Sequence, residues 1–145
     1  MKKLVPYLII VFTTCILFSP YLLGYVGITP HVGTNDNTDL QIPYRAALQQ
    51  SLKQMQLPLW EPRISAGFPL LAEGQIGAFH PLNIFAALLP VPAYYSVSLN
   101  IILTVIISGI GMYLFALNWL SKTDNPNKKD YAIFSALIWS YCGFN

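Results

Sequence analysis

Residues 4–23 run for 20 positions without one charged side chain. At about 1.5 Å of rise per residue, such a helix is about 30 Å long, the thickness of a bilayer's hydrocarbon core. A second uncharged run covers residues 97–117. Two such runs place the chain among integral membrane proteins and argue against a soluble domain. The composition agrees: 10% of the residues are charged, against roughly 25% in an average globular domain.

Lys2 and Lys3 precede the first run, and Pro6 falls in its first turn, where a missing N–H costs little. Pro20, near the far end, is expected to kink or stop the helix. A cleaved signal peptide is the rival reading. The run exceeds the roughly 7–15 residues of a signal core and no small-x-small cleavage site follows, so an uncleaved span is expected over 4–23. Phe12-Thr13-Thr14 ahead of Cys15 does not make a lipoprotein cleavage box.

The second span is expected within 94–120. Tyr94 and Tyr95 at one end and Trp119 at the other suit the two water–lipid boundaries. Gly109 and Gly111 would let a neighbouring helix approach closely. Residues 131–145 are apolar again but number about 15, part of a third span whose remainder is expected beyond residue 145. Cys15 and Cys142 lie in apolar sequence without disulfide or metal-ligand spacing and read as small apolar residues.

Charge placement gives the topology. Segments 1–3 and 121–130 hold five lysines against two aspartates, whereas loop 24–93 holds three basic and four acidic residues. An even number of spans separates the two basic segments, so both are expected in the cytoplasm and the long loop outside. No basic stripe of the kind that binds nucleic acid is present, which removes that partner class.

Outside the thiols, the two uncharged runs lack ionisable chemistry, so any reaction has to use the 24–93 loop. Asp36 and Asp39 fall in the turn-rich stretch 34–39. Their alternation with Asn resembles a calcium loop, but Leu40 and Ala46 stand where an EF-hand needs Gly and Glu. The carboxylates remain candidates for a general base or a divalent-ion site, against the simpler reading of a solvated, helix-capping turn.

A short amphipathic helix is expected over about 43–56. Tyr44, Ala47, Leu48, Leu52 and Met55 make its apolar face, and Arg45, Gln49 and Lys53 its polar one. Lying along the membrane surface, it could offer Arg45 or Lys53 to a lipid phosphate. Pro58, Pro62, Gly67 and Pro69 then exclude long regular structure. Residues 82–90 are too short to cross and are expected to be interfacial or re-entrant. His80 precedes them; a lone histidine there reads first as structural.

The order Asp39-Leu40, Pro43, Leu57-Pro58-Leu59-Trp60-x-Pro62, Gly67-x-Pro69-Leu70, Gln75 and Pro81-Leu82-Asn83 resembles the start of the YfhO-like bacterial membrane proteins. Gly109-x-Gly-Met-Tyr-Leu114 and Cys142-Gly143-Phe144 continue the likeness over nearly the whole chain. Glu61 departs from it, standing where that family usually has Asn, and Met55-Gln56 replaces the Gly common before Leu-Pro.

The resemblance implies an all-α, polytopic membrane bundle of the GT-C glycosyltransferase type. The chain would supply the first two spans, the first outer loop with its juxtamembrane helix, and part of a third span. It implies a multi-pass protein of the bacterial cytoplasmic membrane, N-terminus inside. Such a protein takes a sugar from a polyprenyl-phosphate carrier and passes it to a cell-envelope glycan acceptor at the outer face.

Asp39 matches the acidic residue expected to act as base or metal ligand, with Asp36 as a neighbour. Arg45, Lys53, His80 and Gln75 become candidates for contacting the substrate or lipid phosphate. A divalent metal stays open as cofactor, and this piece alone is expected to be inert. Two other readings stay open: a non-catalytic protein of envelope glycolipid transport or assembly, and a small membrane partner complete at residue 145.

Overall fold

The computed structural model describes residues 4–22, 37–64 and 66–142. Its helices are α1 (Val5–Leu17), α2 (Ser19–Leu22), α3 (Ile42–Lys53), α4 (Pro81–Leu88), α5 (Ala93–Leu120) and α6 (Lys128–Tyr141). Among the described residues the architecture is all-helical; sheet-like pairing is confined to one antiparallel bridge, Glu61 with Phe68. The chain divides into two compact units, one of residues 1–19 and 102–145, the other of residues 20–101.

The long apolar stretch at the start is not one helix. α1 ends after 13 residues, about 20 Å. The stretch 4–23, expected as one span with a kink or stop at Pro20, is built as two helical pieces, with residue 23 outside the described residues. Pro20 is the cause. It has no N–H to give the Ile16 carbonyl, and the helix breaks at Phe18. The Ser19 hydroxyl donates to that carbonyl instead, at 2.8 Å.

α1 packs with α6 and with the later part of α5 around Ile10, Tyr113, Ala116, Ala132 and Ala136. The Tyr7 and Tyr113 rings meet edge to face at 5.5 Å, and the Thr14 and Tyr141 hydroxyls share a hydrogen bond of 2.8 Å. Gly109 sits where three helices converge. A Cβ there would collide with the Ser140 hydroxyl and lie 3.0 Å from Ile10 Cγ2. Gly111 faces open space, so close approach belongs to the first glycine alone. Cys142 is exposed rather than packed.

α5 is one continuous helix of 28 residues with a mean hydropathy of 2.1 over its most apolar stretch. It is the helix among the described residues that is long and apolar enough to cross a membrane.

The second unit has its own core of Tyr44, Ala47, Leu48, Leu70, Ile76, Ala78 and Ala87. α3 carries the first three, spaced to one side as the apolar pattern dictates, and packs on α4. Tyr44 stacks on Phe68 at 5.2 Å. α3 closes with a Schellman motif: Gln56 N–H donates to Ser51 O at 2.9 Å and Met55 N–H to Leu52 O at 3.0 Å. Met55 occupies the left-handed position with φ 52°. It is fully exposed, so the apolar face expected of it ends at Leu52. Of residues 82–90, expected as an interfacial segment, 82–88 belong to α4, which is tied to the start of α5 by Ser96 Oγ donating to Ala86 O at 2.6 Å.

Candidate functional site

α3 organises the second unit, because two polar residues on it point inward. Arg45 is only 6% exposed, and Gln49 is buried beside it. The expectation of a solvated Arg45–Gln49–Lys53 edge is corrected here; only Lys53 stays exposed. The reason lies in the partners. Arg45 Nη1 donates to Asn83 O at 2.7 Å and Nη2 to Asn83 Oδ1 at 2.8 Å. Gln49 Nε2 donates to Val91 O at 3.0 Å. A guanidinium can be buried when fixed oxygens replace its water. Burial still disfavours its charge and lowers its pKa from the ordinary arginine value.

Asn83 is the hub of this clasp. Its Nδ2 donates to Ile76 O at 2.8 Å and Gly77 O at 3.0 Å, while its oxygens accept from Arg45. The amide thus uses both donors and its acceptor. Gly77 has φ +53°, and a Cβ there would approach Asn83 Nδ2 to 2.6 Å. The backbone passes this amide because the residue is glycine.

On the exposed side of α3 lies a second polar cluster. Arg63 Nε and Nη2 grip Glu61 Oε1 and Oε2 at 2.6 and 2.9 Å in a two-pronged pair. Nη2 also donates to Gln50 Oε1 at 2.6 Å, and Arg63 N–H to Glu61 Oε1 at 3.0 Å. The Glu61 side chain is 8% exposed and that of Arg63 64%. Hydrogen bonding from Arg63 holds the Glu61 carboxyl at about 2, below the ordinary 4.5, although burial works against it. Glu61 in turn raises the Arg63 pKa.

The loop that presents this pair is closed by reciprocal bonds, Glu61 N–H to Phe68 O at 2.8 Å and Phe68 N–H to Glu61 O at 2.9 Å. Gly67, with φ +120°, lies against the Trp60 indole; a Cβ there would collide with Trp60 Cζ2. The Trp60 and Gly67 of the Pro-Leu-Trp-x-Pro…Gly-x-Pro pattern therefore form one contact. A hollow of about 300 Å³ lies between α3 and this loop, walled by Pro43, Ala46, Gln50, Glu61 and Arg63.

Asp39 is exposed on the π-helical turn Asn37–Gln41 that leads into α3. Its charge faces the positive end of the α3 dipole. Asp36 lies outside the described residues. Gln75 and His80 are exposed; Gln75 donates its N–H to Glu73 Oε1 at 3.2 Å, and His80 stands at the N-cap position of α4 without a side-chain bond to the helix. Among the described residues, no hydrogen bond or ion pair joins Asp39 to Arg45, Lys53, Gln75 or His80. Nor do three His, Cys, Asp or Glu side chains there gather as a metal site.

Sequence reasoning passed over Asn83, Gln50, Glu61 and Arg63 as functional residues. The signal for Glu61 was present, since it departs from the pattern of the family that the chain resembles. No family model, no curated protein and no solved structure matches this chain.

Proposed function

We propose that this chain is the amino-terminal part of a membrane glycosyltransferase-like protein of the GT-C type. It passes a sugar from a polyprenyl-phosphate carrier to an envelope acceptor at the outer face of the bacterial cytoplasmic membrane. The observation that carries the reading is the exposed carboxylate of Asp39, held at the head of α3 on a folded loop unit. α5 serves as one membrane crossing, and the apolar stretch that starts at Leu4 serves as another.

In this reading Asp39 takes the proton of the acceptor hydroxyl as that oxygen attacks the anomeric carbon. The bond from that carbon to the lipid phosphate breaks, and the phosphate leaves with the electron pair. Lys53 is exposed but ends the 12-residue α3, about 18 Å from the Asp39 end, so the charge of the leaving phosphate has to be met by another group. Arg45 instead holds the loop together through Asn83.

The test is Asp39→Asn in the full-length protein, in membranes supplied with a labelled polyprenyl-phosphate sugar. Transfer should fall by about 10²–10⁴-fold with expression unchanged. Undiminished transfer would remove Asp39 from the catalytic role, and no transfer from the parent protein would favour a non-catalytic role in glycolipid transport or assembly.

A further inference from the structure

The C-terminal half of α3 and the 57–63 loop border a second, open hollow of about 320 Å³ with mostly polar walls. Its size lies at the low end of small-molecule sites, roughly 300–1,000 Å³. Its walls include Gln50, Ser51, Gln54, Gln56, Trp60 and Arg63. Gln50 and Gln54 stand one turn apart on the same face of α3, and the Schellman turn brings Gln56 beside them.

We propose that this cleft is a carbohydrate subsite that takes one uncharged sugar ring. Three observations converge. Trp60 is 60% exposed although it is a large apolar side chain, and Gly67 lies against its indole. An aromatic face carries negative potential and attracts the C–H edge of a pyranose.

Around it stand planar side chains that both donate and accept. Gln54 and Gln56 are exposed. Gln50 gives its oxygen to Arg63, which leaves its NH2 to donate. A ring of vicinal hydroxyls needs such paired donors and acceptors.

The third observation selects against phosphate. The one cation of the cleft is already neutralised by Glu61 at 2.6 Å. A phosphate would meet a cancelled charge, whereas a neutral polyol loses nothing by it. Arg63 Nη1 has no protein partner among the described residues and is left to donate to a hydroxyl.

This inference deepens the glycosyltransferase reading by adding a sugar-holding site. The site needs neither Asp39 nor a donor lipid in order to bind. The full chain in phospholipid nanodiscs, free of sugar-based detergent, should be titrated with the methyl glycosides of glucose, galactose, mannose and N-acetylglucosamine. Saturation-transfer NMR is the readout. At least one glycoside should bind saturably through its ring protons. Trp60→Leu and, separately, Gln54→Ala should weaken it, the former by about tenfold, with helix content unchanged. Asp39→Asn should leave the binding intact.

The proposal is overturned if none of the four binds, if both variants bind as the parent does, or if inorganic phosphate saturates the cleft where the sugars do not. Sugar binding without transferase activity would sink only the catalytic reading. Transferase activity without glycoside binding would sink only this one.

Discussion

Arg45 and Asn83 are joined twice, once through the asparagine's backbone carbonyl and once through its side-chain oxygen, at 2.7 and 2.8 Å. Two helices 38 residues apart in sequence are thereby held by one pair. Asn83→Leu would remove the Oδ1 acceptor from a buried cation and the Nδ2 donors from two loop carbonyls. It should destabilise the loop unit by about 2–3 kcal/mol. Hydrogen exchange on α3 and α4 should rise accordingly, with α6 little changed. Arg45→Lys should not restore stability, because an ammonium cannot reach two oxygens in the guanidinium's fork.

The Glu61–Arg63 pair should make the loop unit sensitive to acid. The Glu61 carboxyl titrates at about 2 in the folded chain against 4.5 ordinarily. A depressed folded value contributes stability that is fully present above the unfolded one. It is lost as pH falls from about 4.5 toward about 2, because the unfolded chain then binds the proton first. Denaturation of the chain at stepped pH should show this loss, and Arg63→Gln should flatten it. High salt should diminish it only in part, since Glu61 is mostly shielded from solvent.

Met55→Gly should stabilise α3. The parent methionine holds a left-handed backbone at the helix end with φ 52° and makes little contact in return. Removing the Cβ should recover about 1 kcal/mol, partly offset by glycine's greater freedom when unfolded. A rise in the denaturation midpoint with an unchanged slope is the expected result. A fall would mean that the Schellman turn does not persist in solution.

Gly109→Val should disrupt the packing of α1, α5 and α6. The added carbons must displace Ser140 and Ile10, which are on different helices. A cost of about 1–3 kcal/mol is expected. The same change at Gly111, which meets nothing within 4 Å, should be nearly silent. Comparing the two variants' thermal stabilities in micelles separates packing from helix propensity.

Composition and run length made the helical class and the apolar α5 readable, because both depend on local content alone. Pro20 announced its own interruption, since a missing N–H acts wherever it stands. The orientation of α3 was not readable in the same way. A pattern of apolar residues marks which side is buried but treats every polar side chain as outward. Arg45 and Gln49 turn inward because Asn83 and Val91 offer oxygens, and those partners come about 40 residues later. Trp60 and Gly67 were visible as a pattern. Their contact rests on a φ of +120° that no residue pattern specifies. Asp39 was singled out through a family likeness, and its exposure on a turn adds position without adding a partner.

The clasp between Arg45 and Asn83 also sets an order of events during biosynthesis. Chain growth runs at roughly 5–20 residues per second. The 38-residue separation therefore leaves Arg45 without its acceptor for about 2–8 s after it has been made. During that interval α3 carries a cation that only water can solvate, so its inward face cannot close. The loop unit can complete itself only when α4 has emerged, and its core and its clasp then form together.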